Sequence, residues 1–160
     1  MFLKRTKKAP HTREEAPQRA QSDTPALCSA RSGGVSYSNA SLAFLGDAVF
    51  GLMVRERLVR QANRPAGKLH EESVKLVNAR AQADAASRLA AVLTDEELAV
   101  YRRGRNSHTS HTPKNQSVTD YHSATGLECL FGFLYLKGQT RRLEELFGII
   151  YEGEIIEQKQ

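Results

Sequence analysis

The sequence has few cysteines and no long apolar run. Cys28 and Cys129 are its two cysteines among 160 residues, too few for a disulfide framework, so a reducing, cytoplasmic setting is expected. No apolar run approaches the roughly 18 residues that would predict a membrane span. The first residues have no continuous apolar core of the kind that a secretory signal requires, so none is expected. These absences favour a cytoplasmic globular protein.

Acidic residues are in the minority, with 18 Asp+Glu against 23 Lys+Arg. Most of the basic excess lies in the first 40 residues, which hold seven Lys or Arg and three acids. A basic balance favours a polyanionic partner. Residues 1–37 are rich in Lys, Arg, Gln, Ser and Pro, and we predict a disordered basic extension there. An organellar transit peptide is the alternative, although Glu14, Glu15 and Asp23 count against it.

The remaining chain shows helical spacing of apolar residues and no sustained strand alternation. We therefore predict an all-α domain over residues 38–155 and a short C-terminal tail over 156–160. Apolar residues of the first helix include Leu42, Leu45, Val49, Leu52 and Val59. The first predicted helix runs from Leu42 to about Ala62 and is capped by Ser36, Ser38 or Ser41. The second runs from about Leu69 to Leu93, and the third begins with a Thr94–Glu97 capping box and ends at about Arg103. The last two run from about Thr119 to Lys137 and from Thr140 to about Ile155.

Two of the apolar helices each carry a single acid. The stretch LAFLGDAVFGLMV has Asp47 as its only charge, and ATGLECLFGFLYL has Glu128. A carboxylate in an apolar helix is costly unless a cation, a metal or protonation compensates it. If the two helix faces pack together, the acids could bind a hard cation such as Mg²⁺. The plain alternative is that each acid hydrogen-bonds a buried polar group, but two acids in matching settings favour a site.

A polar loop follows the short third helix. Its sequence, GRNSHTSHTPKNQSVTD, has no apolar periodicity, and Tyr101 to Gln116 contains several cations and no acid. Arginine side chains and backbone amides in such a loop suit phosphate oxygens. A solvated basic turn with no ligand is the alternative. His108 and His111 form only a weak zinc pattern, because no third ligand lies near them in sequence.

These motifs resemble the ribonuclease III family. LAFLGDAVF is similar to the helix that carries a catalytic Asp after Phe-Leu-Gly, and ATGLECLFGFLYL is similar to the helix that carries a catalytic Glu. The tract YRRGRNSHTSHTPKN makes the resemblance closest to Mini-ribonuclease III, the compact bacterial branch without a double-stranded RNA-binding domain. Longer relatives carry two further acids at the positions of Ala43 and Thr125. The compact branch resembles this chain at both positions.

The resemblance implies a ribonuclease III-like helical fold and a metal-dependent endoribonuclease. Asp47 and Glu128 would be the catalytic and metal-binding residues, with Mg²⁺ or Mn²⁺ as the cofactor. The implied product ends are a 5′-phosphate and a 3′-hydroxyl, and the implied partners are double-stranded RNA, in particular precursor large-subunit (23S) ribosomal RNA, and a second copy of the chain. The RNA-binding residues would be Arg102, Arg103, Arg105, Asn106, Lys114 and Asn115.

Two rival functions are less well supported by the sequence. A catalytically silent ribonuclease III fold could serve as an RNA-binding scaffold of the ribosome or its assembly, but a scaffold requires neither Asp47 nor Glu128. A di-iron carboxylate bundle would need Glu-x-x-His pairs on facing helices, and the sequence contains none.

Overall fold

The protein is all-α in the part of the chain that its computed structural model describes, residues 36–107 and 117–152. This confirms the predicted fold class. Apart from residues 36 and 37, the predicted basic extension lies outside the described residues, as do the C-terminal tail and residues 108–116 of the polar loop. The helices are α1 (Asn39–Gln61), α2 (Ala66–Val77), α3 (Ala79–Leu89), α4 (Asp95–Arg105), α5 (Val118–Leu136) and α6 (Thr140–Glu152).

Helix α5 forms the centre of the structure. It packs against α1, α3, α4 and α6, and residues on all sides of it are buried. An α-helix that is apolar around its circumference requires neighbours on every side. Phe131 is fully buried and meets the ring of Phe50 from α1 edge to face, with ring centroids 5.3 Å apart. The apolar composition of this segment therefore reflects its central position.

Helix α1 begins earlier than predicted, and one of its apolar faces is exposed. Ser38 is the N-cap, because its side chain accepts a hydrogen bond from the Ser41 backbone amide at 3.1 Å. Of the apolar residues that recur at helical spacing along it, Leu42 and Val49 are buried, but Leu52 and Val59 are 64% and 59% exposed. Leu52 and Val59 therefore lie on a face that the described part of the chain leaves uncovered.

The predicted second helix is in fact two helices, α2 and α3, separated at Asn78. Asn78 has an extended backbone (φ −73°, ψ 161°), which interrupts the helical hydrogen bonds. Its amide group donates to the Lys75 carbonyl at 2.8 Å, and its Oδ1 accepts from the Ala81 amide at 3.0 Å. One side chain thus caps both helix ends. The strong helix formers on either side concealed this break.

Helix α4 begins with the predicted capping box, which is confirmed. Thr94 accepts from the Glu97 amide, and the Glu97 carboxylate accepts from the Thr94 amide. Glu97 is buried, and Arg142 from α6 donates two hydrogen bonds to it at 2.8 and 3.0 Å. The hydrogen bond from Arg142 is the main reason that the pKa of Glu97 lies below its usual value. This ion pair ties α4 to α6.

None of the helices in the described ranges is both long and apolar enough to cross a membrane.

We expect Asn78→Ala to lower the free energy of unfolding by about 1–2 kcal/mol, because it removes caps from two helix ends at once. Urea unfolding followed by circular dichroism measures this. Asn63→Ala is the matched control, since Asn63 is exposed between α1 and α2. Equal stability of the two variants would show that the caps at Asn78 contribute nothing.

Candidate active site

The backbones of α1 and α5 touch where the two acidic motifs cross. A Cβ atom on Gly46 would lie 1.7 Å from the carbonyl oxygen of Glu128, and one on Gly132 would lie 2.1 Å from the carbonyl oxygen of Leu42. Real Cβ atoms do not approach this closely, so any larger residue at either position would separate the helices. Gly46 and Gly132 therefore set the distance between α1 and α5.

This crossing brings the two predicted acids together. Asp47 follows Gly46 on α1, and Glu128 supplies the carbonyl against which Gly46 packs. The pKa of Glu128 is raised to about 7, first by burial and then by the negative charge of Asp47, while a hydrogen bond from Gln82 opposes the shift. The structure therefore places both carboxylates in one electrostatic environment.

The two acids differ in their exposure. Asp47 is exposed, whereas Glu128 is half-buried. Asp47 lies in an apolar helix, as the sequence indicates, but its side chain is not buried there. The apolar residues around Asp47 in sequence divide between the core, as with Phe50, and the surface, as with Phe44, which is 85% exposed. Asp47 therefore lies at the edge of the site, open to solvent or to a bound ligand.

Gln82 is a residue of this site that the sequence did not reveal. It lies on α3 with only 1% of its surface exposed, and its side chain hydrogen-bonds Glu128. Nothing in the sequence marks Gln82, because glutamine is a common residue on exposed helix surfaces. Gln82 lies on α3, a helix that the sequence did not distinguish from α2.

Cys129 is adjacent to Glu128 and is not suited to bind a metal. Its Sγ is fully buried and donates to the Asn39 carbonyl at 3.1 Å. Burial, with a smaller effect from the charge of Glu128, raises the pKa of the thiol to about 11, so it stays protonated at neutral pH. Metal ligation requires the thiolate. Cys129 therefore serves to hold the start of α1 against α5.

The predicted RNA-binding arginines lie at the C-terminal end of α4. Arg102, Arg103, Arg105 and Asn106 are all exposed. Asn39 donates from its side chain to the Arg103 carbonyl at 3.1 Å, which joins this end of α4 to the start of α1. The charge of Arg103 also lowers the pKa of Cys129, so this side chain lies near the crossing. Lys114, Asn115, His108 and His111 lie outside the described residues.

The donor set suits a hard divalent cation with few protein ligands. Among the described residues, no group of three or more His, Cys, Asp or Glu side chains could hold a metal. Two carboxylates that repel each other, together with an uncharged amide, are compatible with a cation such as Mg²⁺ that keeps several water ligands. A divalent cation between Asp47 and Glu128 would also relieve the repulsion that raises the pKa of Glu128.

Comparisons with known proteins identify relatives of this chain. The model of the ribonuclease III domain family matches residues 40–139. A Mini-ribonuclease 3 from Thermoanaerobacter sp. is 45% identical over 72% of this chain and 82% of its own length. One from Brevibacillus brevis is 40% identical over 71% of this chain and 87% of its own length. A Fusobacterium nucleatum protein of known crystal structure has a TM-score of 0.70 and 29% identity, over 77% of this chain and 94% of its own.

We expect Asp47→Asn to lower the pKa of Glu128 in the metal-free protein, because the substitution removes a like charge. The pKa should stay above the ordinary value of 4.5, since burial is unchanged. Carboxyl ¹³C NMR titration measures this, and Glu97, which pairs with Arg142, is the internal control. An unmoved Glu128 resonance would show that the two acids do not interact.

The same shift sets a pH dependence of stability. The folded pKa of Glu128, about 7, lies above the ordinary 4.5, so the folded state holds this proton more tightly. The stabilisation from Glu128 is therefore present below about pH 4.5 and is lost as the pH rises towards 7. In Asp47→Asn the pKa of Glu128 should be closer to 4.5, so the loss of stability should occur over a narrower pH interval.

Proposed function

The chain belongs to the ribonuclease III family and is an endoribonuclease of the Mini-ribonuclease 3 type, and on that premise we propose that it cleaves double-stranded RNA with Asp47, Glu128 and a divalent cation. The observation that carries this proposal is the crossing of α1 and α5, where burial and the nearby charge of Asp47 raise the pKa of Glu128. A scaffold protein would have no need for two mutually repelling acids at a backbone contact. Keeping such a pair costs stability, which a catalytic role explains.

Asp47 and Glu128 would hold the cation, Mg²⁺ or Mn²⁺. A bound ion of this kind supplies an activated water and stabilises the charge that develops on the scissile phosphate. The exposure of Asp47 leaves an open side for the RNA backbone, while Glu128 is half-buried and accepts a hydrogen bond from Gln82. The proposed products carry a 5′-phosphate and a 3′-hydroxyl. Few protein ligands are present, so water and RNA phosphate would complete the coordination shell.

The end of α4 would bind the RNA backbone. Arg102, Arg103 and Arg105 are exposed there, and Asn106 is beside them. Cations in the last helical turn also complement the helix dipole, so part of their role is structural. Duplex RNA is recognised mainly through shape, phosphates and 2′-hydroxyls, so these residues need not contact bases. The predicted contribution of Lys114 and Asn115, which lie outside the described residues, stays a prediction.

The exposed face of α1 supports the proposed homodimer. Phe44, Ala48 and Leu52 are spaced four residues apart and are all exposed, with Phe44 at 85% and Leu52 at 64%. Val59 extends the same face towards the end of α1. An exposed apolar stripe of this length is costly in water unless a partner covers it. A second copy that covers this stripe would bring two sites onto one RNA groove.

We propose a stem in precursor large-subunit (23S) ribosomal RNA as the natural substrate, by analogy with the family. Such a substrate places the enzyme in the cytoplasm. Duplex stems of this kind present the continuous phosphate backbone that the arginines at the end of α4 would bind.

Asp47→Asn and Glu128→Gln should each lower kcat on duplex RNA by about 100-fold or more, because each removes a metal ligand. Cleavage of an end-labelled RNA duplex with Mg²⁺ measures this, and binding of the duplex should persist. Asp84→Asn is the matched control, since Asp84 is an exposed acid of α3 whose charge is not among those that shift the pKa of Glu128.

Full activity in either site variant would contradict the assignment of these residues. Tight duplex binding by the wild-type protein, without cleavage in Mg²⁺ or Mn²⁺, would instead favour the scaffold function. In cells, the inactive variants should accumulate precursors with unprocessed stem ends, which primer extension detects.

Phe44→Asp should convert the dimer into a monomer, because it places a charge in the apolar stripe of α1. Sedimentation velocity measures the change. Val92→Asp is the control, since Val92 is an exposed valine in the turn between α3 and α4. A wild-type protein that sediments as a monomer would contradict the proposed dimer.

A further inference from the structure

Gln82 is buried beside the proposed metal site and is not completely hydrogen-bonded. It lies on α3, which packs against α5, and its exposed fraction is 1%. Its carboxamide has two polar ends, an NH₂ group that donates and an oxygen, Oε1, that accepts. The NH₂ group donates to the Glu128 carboxylate. Among the atoms that the structure describes, Oε1 has no hydrogen-bond partner.

An unpartnered oxygen at this depth is uncommon in a folded protein. Nearly all buried polar atoms have a protein or water partner, and one without a partner destabilises the fold. A leucine or methionine at position 82 would fill the same space without this cost. Gln82 is therefore poorly explained as a packing residue, and its polar ends require a function.

The location of Oε1 indicates what its partner is. Both polar atoms belong to one planar carboxamide, so Oε1 lies next to the Glu128 carboxylate that the NH₂ group contacts. The charge of Asp47 reaches the same carboxylate. Water molecules of a cation held by these two acids would donate hydrogen bonds outward, and an uncharged acceptor beside Glu128 is suited to receive one.

We propose that Gln82 is a positioning residue of the nuclease site, which orients the Glu128 carboxylate through its NH₂ group and accepts a hydrogen bond from a metal-bound water through Oε1. This inference rests on the proposed function. Other side chains of similar length fit the role less well. A lysine would place a positive charge where the cation binds, and a glutamate would add a third repelling acid.

The test is Gln82→Met, which keeps the volume and removes both polar ends. We expect the affinity for Mn²⁺, measured by isothermal titration calorimetry in the absence of RNA, to fall by about 10- to 100-fold, as is typical when a residue that orients a metal ligand is lost. We expect kcat at a fixed subsaturating Mg²⁺ concentration to fall with it, and KM for duplex RNA to stay unchanged.

Leu89→Met on the same helix is the matched control, because Leu89 is fully buried and the change conserves volume. Its Mn²⁺ affinity and its kcat should equal those of the wild type. A folded Gln82→Met variant with wild-type Mn²⁺ affinity would overturn the proposal. A rise in KM with unchanged kcat would also overturn it, since that result describes a residue that acts on RNA binding.

A measurement on the wild-type protein does not depend on how the variant folds. The side-chain NH₂ resonances of Gln82 should shift as Mg²⁺ is added, with the same midpoint as the heat of Mg²⁺ binding. The side-chain resonances of Gln61, at the end of α1, should not move. Gln82 resonances that stay fixed while Mg²⁺ binds would overturn the proposal.

The failure of this inference is distinguishable from the failure of the proposed function. If Asp47→Asn and Glu128→Gln abolish cleavage while Gln82→Met binds Mn²⁺ normally, only the role of Gln82 is wrong. If the two acid variants cleave RNA at the wild-type rate, the proposed site is wrong, whatever the result at Gln82.

Discussion

The contact between the backbones of α1 and α5 is the constraint on which the rest of the structure depends. It forms because Gly46 and Gly132 have no side chains to separate the helices. Asp47 and Glu128 come within electrostatic reach of each other only because of this approach, and the buried Cys129 thiol then contacts the first turn of α1. The position of the site is thus fixed by main-chain atoms, which move less than side chains do.

The arrangement of acids near this contact lowers the stability of the fold. Burial and Asp47 both oppose ionisation of Glu128, and the hydrogen bond from Gln82 only partly offsets them. By contrast, the Glu97–Arg142 pair is complete, with two hydrogen bonds that favour the ionised carboxylate. The described residues thus include a buried acid, Glu97, that is fully paired, and a half-buried acid, Glu128, that is not. The unpaired acid is the one beside a second carboxylate, which is the arrangement expected of a functional site.

The short helices α3 and α4 act as supports for the α1–α5 crossing. Asn78 ends α2 and starts α3, the helix from which Gln82 hydrogen-bonds Glu128. On the other side, Asn39 holds the end of α4, so the exposed arginines there are kept near the crossing. The site is therefore assembled from residues that are far apart in sequence and lie on four different helices, α1, α3, α4 and α5.

The sequence by itself determined the all-α class, the capping box at Thr94, the approximate bounds of most helices and the pair Asp47 and Glu128. Each of these depends on local propensity, helical periodicity or a short motif, which neighbouring residues encode. Tertiary structure alone decided that Leu52 and Val59 are exposed, that Asp47 is open to solvent and that Gln82 belongs to the site. Burial depends on which helix packs against which face, and distant residues such as Gly46 and Gly132 set that packing.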